Sequence, residues 1–164
     1  MNLFPLATFD AIDEATARDR CIRWEHYLGP SDRPFGEQYF GLSVAGELVS
    51  VAVSASTAGV TCGGWPRKEV VELARLVTAP GERWATRVCL RFWRELAPRC
   101  WSKYWPVRAC VSYSDNTRHS GNIYRFDGWS KVADYAGSSG GGTYSTKKAY
   151  TPKSVWVYVL PEAA

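Results

Sequence analysis

The chain has 164 residues, a formal net charge of only +4, 46% hydrophobic and 14% aromatic residues, so it fits a single domain, 1–164, with a sizeable core, and its global charge gives no argument for a polyanionic partner. Its 8 Trp and 9 Tyr exceed what core filling needs, which places some of these amphipathic rings at a groove or pocket. The five cysteines (21, 62, 89, 100 and 110) are odd in number and form no CxxC pair; this argues against a disulfide framework or zinc ribbon and for buried free thiols in a reducing cytosol. No basic-then-apolar leader and no run of bilayer length is present, so the expected location is the cytoplasm, with no membrane partner.

In chain order, residues 9–28 carry Ile12, Ala15, Ala17, Cys21 and Trp24 at helical spacing behind Asp10 as a cap, predicting a helix that ends at the loop "HYLGPSDRPFG". "QYFGLSVAGELVSVAVSAS" alternates around Gly46 and predicts a hairpin. "TAGVTCGGWPRK" reads as a flexible connection. Residues 69–77 are apolar apart from the interruptions Glu72 and Arg75, and Pro80-Gly81 stops the run, which predicts a strand. A helix follows over 83–97, ended by Pro98, then a strand over 107–113, a short helix and strand within "DNTRHSGNIYRFDGWSKVADY", a flexible Gly/Ser-rich segment over 136–153, and a last strand "SVWVYVL". This order predicts a mixed α/β layer with one curved sheet.

On the 83–97 helix, Arg83, Arg87, Arg91 and Arg94 fall within a stripe about 80° wide, opposite Ala85, Val88, Cys89, Phe92 and Leu96. Residues 83–108 hold seven Lys/Arg against Glu95 alone. That local excess suits phosphates, and Trp84, Trp93, Trp101, Tyr104 and Trp105 could stack on bases. The reading is DNA binding through Arg83, Trp84, Arg87, Arg91 and Arg94; the alternative is a solvated helix face with core aromatics.

The two histidines, His26 and His119, sit in polar, turn-like settings. With Asp115 they would make a two-histidine, one-carboxylate set, which suits a divalent metal such as iron. The strand ending Ser112, Tyr113, Ser114, Asp115 delivers polar groups to a sheet edge, where ligands commonly bind in α/β proteins. Tyr124 could act as a general acid and Asp115 could orient or deprotonate an amine; alternatively Asp115 caps a helix and Tyr124 is a core ring.

"ELARLVTAPGERWATRVCLRFWREL" followed by "NIYRFDGWSKV" resembles the GNAT acyltransferase pattern of strand, phosphate loop and helix, with Tyr124 at the general-acid tyrosine and Gly128-Trp129 at its Gly-aromatic pair. The resemblance implies a GNAT-like fold, a curved, mixed and mainly antiparallel sheet flanked by helices. "PGERWATR" lacks the glycine-rich signature, which argues against ordinary acetyl-CoA binding. A closer resemblance, from about residue 20 to 135, is to the Mom family of bacteriophage DNA-modification proteins, through "HYLG", "LARL", "SYSD" and "GNIYRFDGW". It implies a transferase acting on the adenine N6 amine of double-stranded DNA, producing the carbamoylmethyl (acetamido) form, protecting DNA from restriction in the cytoplasm of an infected bacterium. It implicates His26, Tyr27, Ser114, Asp115 and Tyr124, with acyl-CoA or glycyl-tRNA as donor. The rivals are a conventional GNAT N-acetyltransferase and a non-enzymatic DNA-binding anti-restriction protein.

Overall fold

The structure, a computed structural model, describes residues 6–33, 36–101, 105–134 and 152–161. Strand β1 (Ala7–Ala11) and helix α1 (Glu14–Arg23) occupy the stretch expected to be one helix from residue 9. Asp10 lies in β1, opposite Gly41. The cap is Asp13, whose carboxylate accepts from the Thr16 N–H at 2.7 Å. Local spacing looked helical through Asp10, but pairing with a distant strand claims those residues first.

That partner is β2 (Glu37–Val44), which turns through Ala45 (φ 52°) and Gly46 (φ 84°) into β3 (Glu47–Ala55). Two consecutive positive φ values give a turn whose twist matches the strands, so the expected hairpin forms. The connection expected to be flexible holds a small hairpin, β4 (Thr61–Cys62) and β5 (Trp65–Pro66), and a single 3₁₀ turn. Then come β6 (Val70–Thr78), α2 (Arg83–Trp101), β7 (Ala109–Asp115), α3 (Asn122–Arg125), β8 (Ser130–Ala133) and β9 (Lys153–Val159). Of the Gly/Ser-rich segment expected over 136–153, residues 136–151 lie outside the described residues, and Lys153, at its end, opens β9.

The main sheet runs β1-β2-β3-β6-β7-β9-β8. All its neighbours pair antiparallel except β6 and β7, which are parallel. Helix α2 covers one face, packing Ala85, Cys89, Leu90, Trp93 and Ala97 against Phe40, Leu42, Ala52, Val71 and Leu73. Helix α1 covers part of the other, with Ala17 and Cys21 on Val51, Val53 and Val77. Along β6, Val71 and Leu73 therefore face α2 while Val70 joins a cluster on the opposite face.

Two expectations for α2 change. Pro98 lies inside the helix, which continues to Trp101; the last turn is tied from outside, where the Gln38 amide donates to the Cys100 carbonyl at 3.1 Å. The buried side is also turned by roughly 80° from the expected one. Leu90, Trp93 and Arg94 are buried, whereas Phe92 and Leu96 are exposed. All five thiols are free, but Cys100 is exposed rather than buried. No helix among the described residues is long and apolar enough to cross a membrane.

Candidate active site at the strand fork

Strands β6 and β7 pair only from Val70↔Ala109 to Leu73↔Ser112, although β6 continues to Thr78 and β7 to Asp115. Beyond that point their facing edges part, leaving a fork open to ligands at the carboxyl ends of parallel strands. One cause lies on β6 itself. Val53 pairs with Arg75 and Ser54 with Leu73, so Ala74 is an extra residue, a bulge that bends the strand away from β7.

Ser112 sits at the crotch of the fork. Its hydroxyl donates to the Leu73 carbonyl at 3.2 Å and shares a 2.9 Å hydrogen bond with the Tyr124 hydroxyl, in which Tyr124 is then the donor. Tyr124 stacks on Trp156 (centroids 5.4 Å apart) and meets Trp129 edge-on. Burial pushes its phenol up to about 12, so the hydroxyl keeps its proton at neutral pH. Gly121 makes this placement possible: a Cβ there would lie 2.2 Å from the Trp156 ring, and its φ of 73° favours glycine.

The loop after α1 brings His26 and Tyr27 over the fork. Helix α1 ends with Glu25 in the left-handed region (φ 53°), the Glu25 N–H bonded to the Ile22 carbonyl and the His26 N–H to the Cys21 carbonyl. This is the two-bond helix ending usually made with glycine. Arg75 then straps the loop down, donating to the carbonyls of Gly29 (2.8 Å) and Pro30 (3.2 Å). The rings of His26 and Tyr27 stack at 5.2 Å, and His119 lies 5.9 Å from Tyr27 across the cavity mouth.

Burial, with help from Arg75 and His119, lowers the His26 imidazole to about 4. It is neutral at pH 7, and because Nδ1 accepts from the Leu28 N–H at 3.3 Å, its proton is on Nε2. His26 is thus a hydrogen-bond donor and a weak base. Burial raises the Tyr27 phenol, as does the negative charge of Asp115 nearby, while Arg118 lies over its ring at 5.1 Å.

His26, Tyr27, Ser114, His119 and Tyr124, far apart in sequence, line one cavity of about 740 Å3, together with Arg75, Arg83, Arg87 and Arg118. Asp115 does not line it. Its carboxylate accepts from the Thr117 N–H at 2.9 Å and the Thr117 hydroxyl at 2.5 Å, and these bonds hold it below the usual carboxylate range. Ser114 accepts from the Trp156 indole at 2.8 Å. The expected metal set of His26, Asp115 and His119 is not assembled: among the described residues no three His, Cys, Asp or Glu side chains gather to hold an ion, because Asp115 is spent on its own turn.

The arginine stripe divides. Arg83 and Arg87 reach the cavity wall. Arg91 pairs with Asp127 at 2.9 Å, and Arg94, buried, donates to the Asp127 carbonyl at 2.9 Å, lies 3.4 Å from its carboxylate and covers the Tyr158 ring at 4.1 Å. Arg94 is therefore a structural residue, contrary to its expected place on a DNA-binding face. Trp84 is exposed, and its indole donates to Glu82. The turn before α2 places Gly81 at φ 89°, and the helix N-terminus, where the Ala85 N–H is bonded to the Glu82 carbonyl at 2.9 Å, brings Arg83, Thr86 and Arg87 to the cavity. Such a terminus fits a phosphate without a glycine run.

Sequence reading missed Arg118 and took Glu72 and Arg75 as mere interruptions of a strand. The signal available was their charge within an apolar run.

A mainly antiparallel sheet of this order, with one parallel pair splayed beside a helix N-terminus, is the GNAT acetyltransferase fold. Structures sharing it include yncA from Salmonella typhimurium, solved with acetyl-CoA (TM-score 0.63, 13% identity, 95% of each chain covered). The spermidine/spermine N-acetyltransferase SpeG from Vibrio cholerae matches with TM-score 0.61 at 9% identity, over 96% of this chain and 95% of that one. The ribosomal-protein-S18-alanine N-acetyltransferase from Escherichia coli matches with TM-score 0.59 at 9% identity, over 94% of both chains. The sequence itself matches no protein-family model and no curated protein.

Proposed function

We propose that the protein is a group transferase of the N-acyltransferase type, which passes an acyl group from a coenzyme A thioester to an amine at the fork. The observation that carries this reading is the end of β6–β7 pairing at Leu73 and Ser112, with the protonated Tyr124 hydroxyl beside it. The thioester supplies an activated carbonyl. Arg83, Arg87 and the N–H groups of the first turn of α2 would hold its phosphates. The parted strand edges offer backbone N–H groups to a carbonyl oxygen that gains negative charge. As the acceptor nitrogen bonds to the acyl carbon and the carbon–sulfur bond breaks, Tyr124 gives its proton to the departing sulfur. The proton lost by the nitrogen returns to the phenolate through water, so the step balances.

The test is acetyl-CoA binding by calorimetry together with thiol release in the presence of amines. Tyr124→Phe should keep donor affinity and lose turnover by about 10²–10⁴-fold. A chain that binds no coenzyme A thioester would sink this reading.

A second reading, transfer of a carbamoylmethyl group to adenine N6 in double-stranded DNA, is favoured by one specific observation. His26, Tyr27, Ser114 and Tyr124, implicated by resemblance to the Mom family, share a cavity walled by Arg75, Arg83, Arg87 and Arg118. Enzymes that act on a base take it out of the stack, and cations on the rim would hold the flanking phosphates. Glycyl-tRNA is then a donor to test beside acyl-CoA. Nucleoside mass spectrometry of plasmid DNA from expressing cells tests it: a carbamoylmethyl deoxyadenosine is expected, and unmodified deoxyadenosine would rule against it.

A further inference from the structure

Beside the fork lies a second cavity of about 350 Å3, which shares with the first the walls formed by Tyr27, Leu28, Leu73, Ala74, Arg75 and Tyr113. Its distinctive lining is Arg33, Glu72 and Lys153. Glu72 is 2% exposed. Its Oε1 accepts from Arg33 at 2.7 Å, but its Oε2 is buried with no hydrogen-bond partner. A buried acceptor left unmade costs free energy that a ligand donor would recover. Arg75 gives its guanidinium to three backbone carbonyls, and among the described residues neither it nor Lys153 has a carboxylate within salt-bridge distance. The cavity thus pairs one open carboxylate oxygen with an excess of positive charge.

We propose that this second cavity is the acceptor subsite, and that it takes an amine carried on an anionic molecule, Glu72 Oε2 accepting from the amine while Arg75 and Lys153 face the anion. The inference rests on the fork being the centre of group transfer. The charge pattern opposes polyamines, which would bring several cations against Arg33, Arg75 and Lys153. It suits a nucleotide-like acceptor, in which an amine and a phosphate lie on one small molecule.

The probe is 5′-dAMP, compared by calorimetry with spermidine and with 5′-deoxyinosine monophosphate, which carries a carbonyl in place of the amine. Wild-type protein should bind dAMP more tightly than the inosine nucleotide and should bind spermidine least. Lys153→Glu, a substitution at the cavity rim, should weaken dAMP by roughly tenfold or more. Glu72→Gln should erase the preference for dAMP over the inosine nucleotide, a readout that a merely structural role for the Glu72–Arg33 pair would not move. Preference for spermidine, or a dAMP preference and affinity untouched by both substitutions, would overturn the proposal. The donor reading fails separately. Protein that binds acetyl-CoA but not dAMP overturns this inference alone, and protein that binds dAMP with the expected response to the variants, but no coenzyme A thioester, upholds the subsite and overturns the donor.

Discussion

The two halves of the arginine stripe on α2 have the same residue type, the same helix and nearly the same azimuth, yet opposite roles. Arg83 and Arg87 border the large cavity, while Arg94 is buried against Asp127 and Tyr158, with Arg91 between these extremes. The difference lies in what stands across from each. Asp127 comes from the turn after α3 and meets only the distal half. A basic stripe read from sequence therefore measures charge, not availability.

Removing the shared carboxylate should have the largest effect. Asp127→Ala removes a buried carboxylate shared by Arg91, Arg94 and the Trp129 indole and leaves buried Arg94 only the exposed Glu95 as counter-charge, and the expected loss is about 3 kcal/mol in urea-induced unfolding. A loss below about 1 kcal/mol would mean that the two halves of the stripe are alike. The converse experiment concerns the proximal half. Arg83→Glu with Arg87→Glu should change stability by no more than about 0.5 kcal/mol for each substitution, yet weaken binding of a phosphate-bearing donor by about tenfold or more, with a flatter dependence on salt.

A smaller effect comes from His26, which is half-buried and neutral beside Arg75. Its folded value of about 4 lies below its unfolded value of 6.5, so the unfolded chain binds the extra proton first. Stability should be constant with respect to this group above pH 6.5 and fall as pH drops towards 4. His26→Gln should flatten that part of the curve, and an unchanged slope would assign the pH dependence elsewhere. The smallest effect should be that of Arg91→Ala. Its side chain is 59% exposed although paired with Asp127, so the cost should stay below about 1 kcal/mol in the same unfolding assay.

The elements with strong local signals were legible in the sequence: the Gly46 hairpin, the β6 strand, the start of α2 and the last strand. What was not legible depended on partners far along the chain. Phe9 and Asp10 look helical beside Ala17 and Cys21, but β2 pairs with them. Pro98 reads as a stop, but Gln38 holds the turn beyond it. Trp93 marks the true buried side of α2 because its indole reaches the Ser54 hydroxyl at 2.8 Å, a contact that azimuth alone cannot anticipate.

The candidate site divides in the same way. Tyr124, with its Gly128-Trp129 sequel, was legible through a motif, as was the "HYLG" loop through resemblance. The fork itself was not, since it depends on where two strands stop pairing. Glu72 and Arg75 gain meaning only once that place is known, because one opens onto the second cavity and the other straps the loop over both.

The unmatched Ala74 has an evolutionary consequence. A strand alternates its side chains between two faces, so one extra residue resets that alternation for everything downstream. Loss of the Ala74 codon would leave β6 in a regular ladder with β3, Arg75 still opposite Val53, but it would remove the bulge at the fork. Selection on this segment should therefore tolerate many replacements of side chain and few changes of length, so that the reading frame of the strand, more than the identity of any one residue, preserves the site.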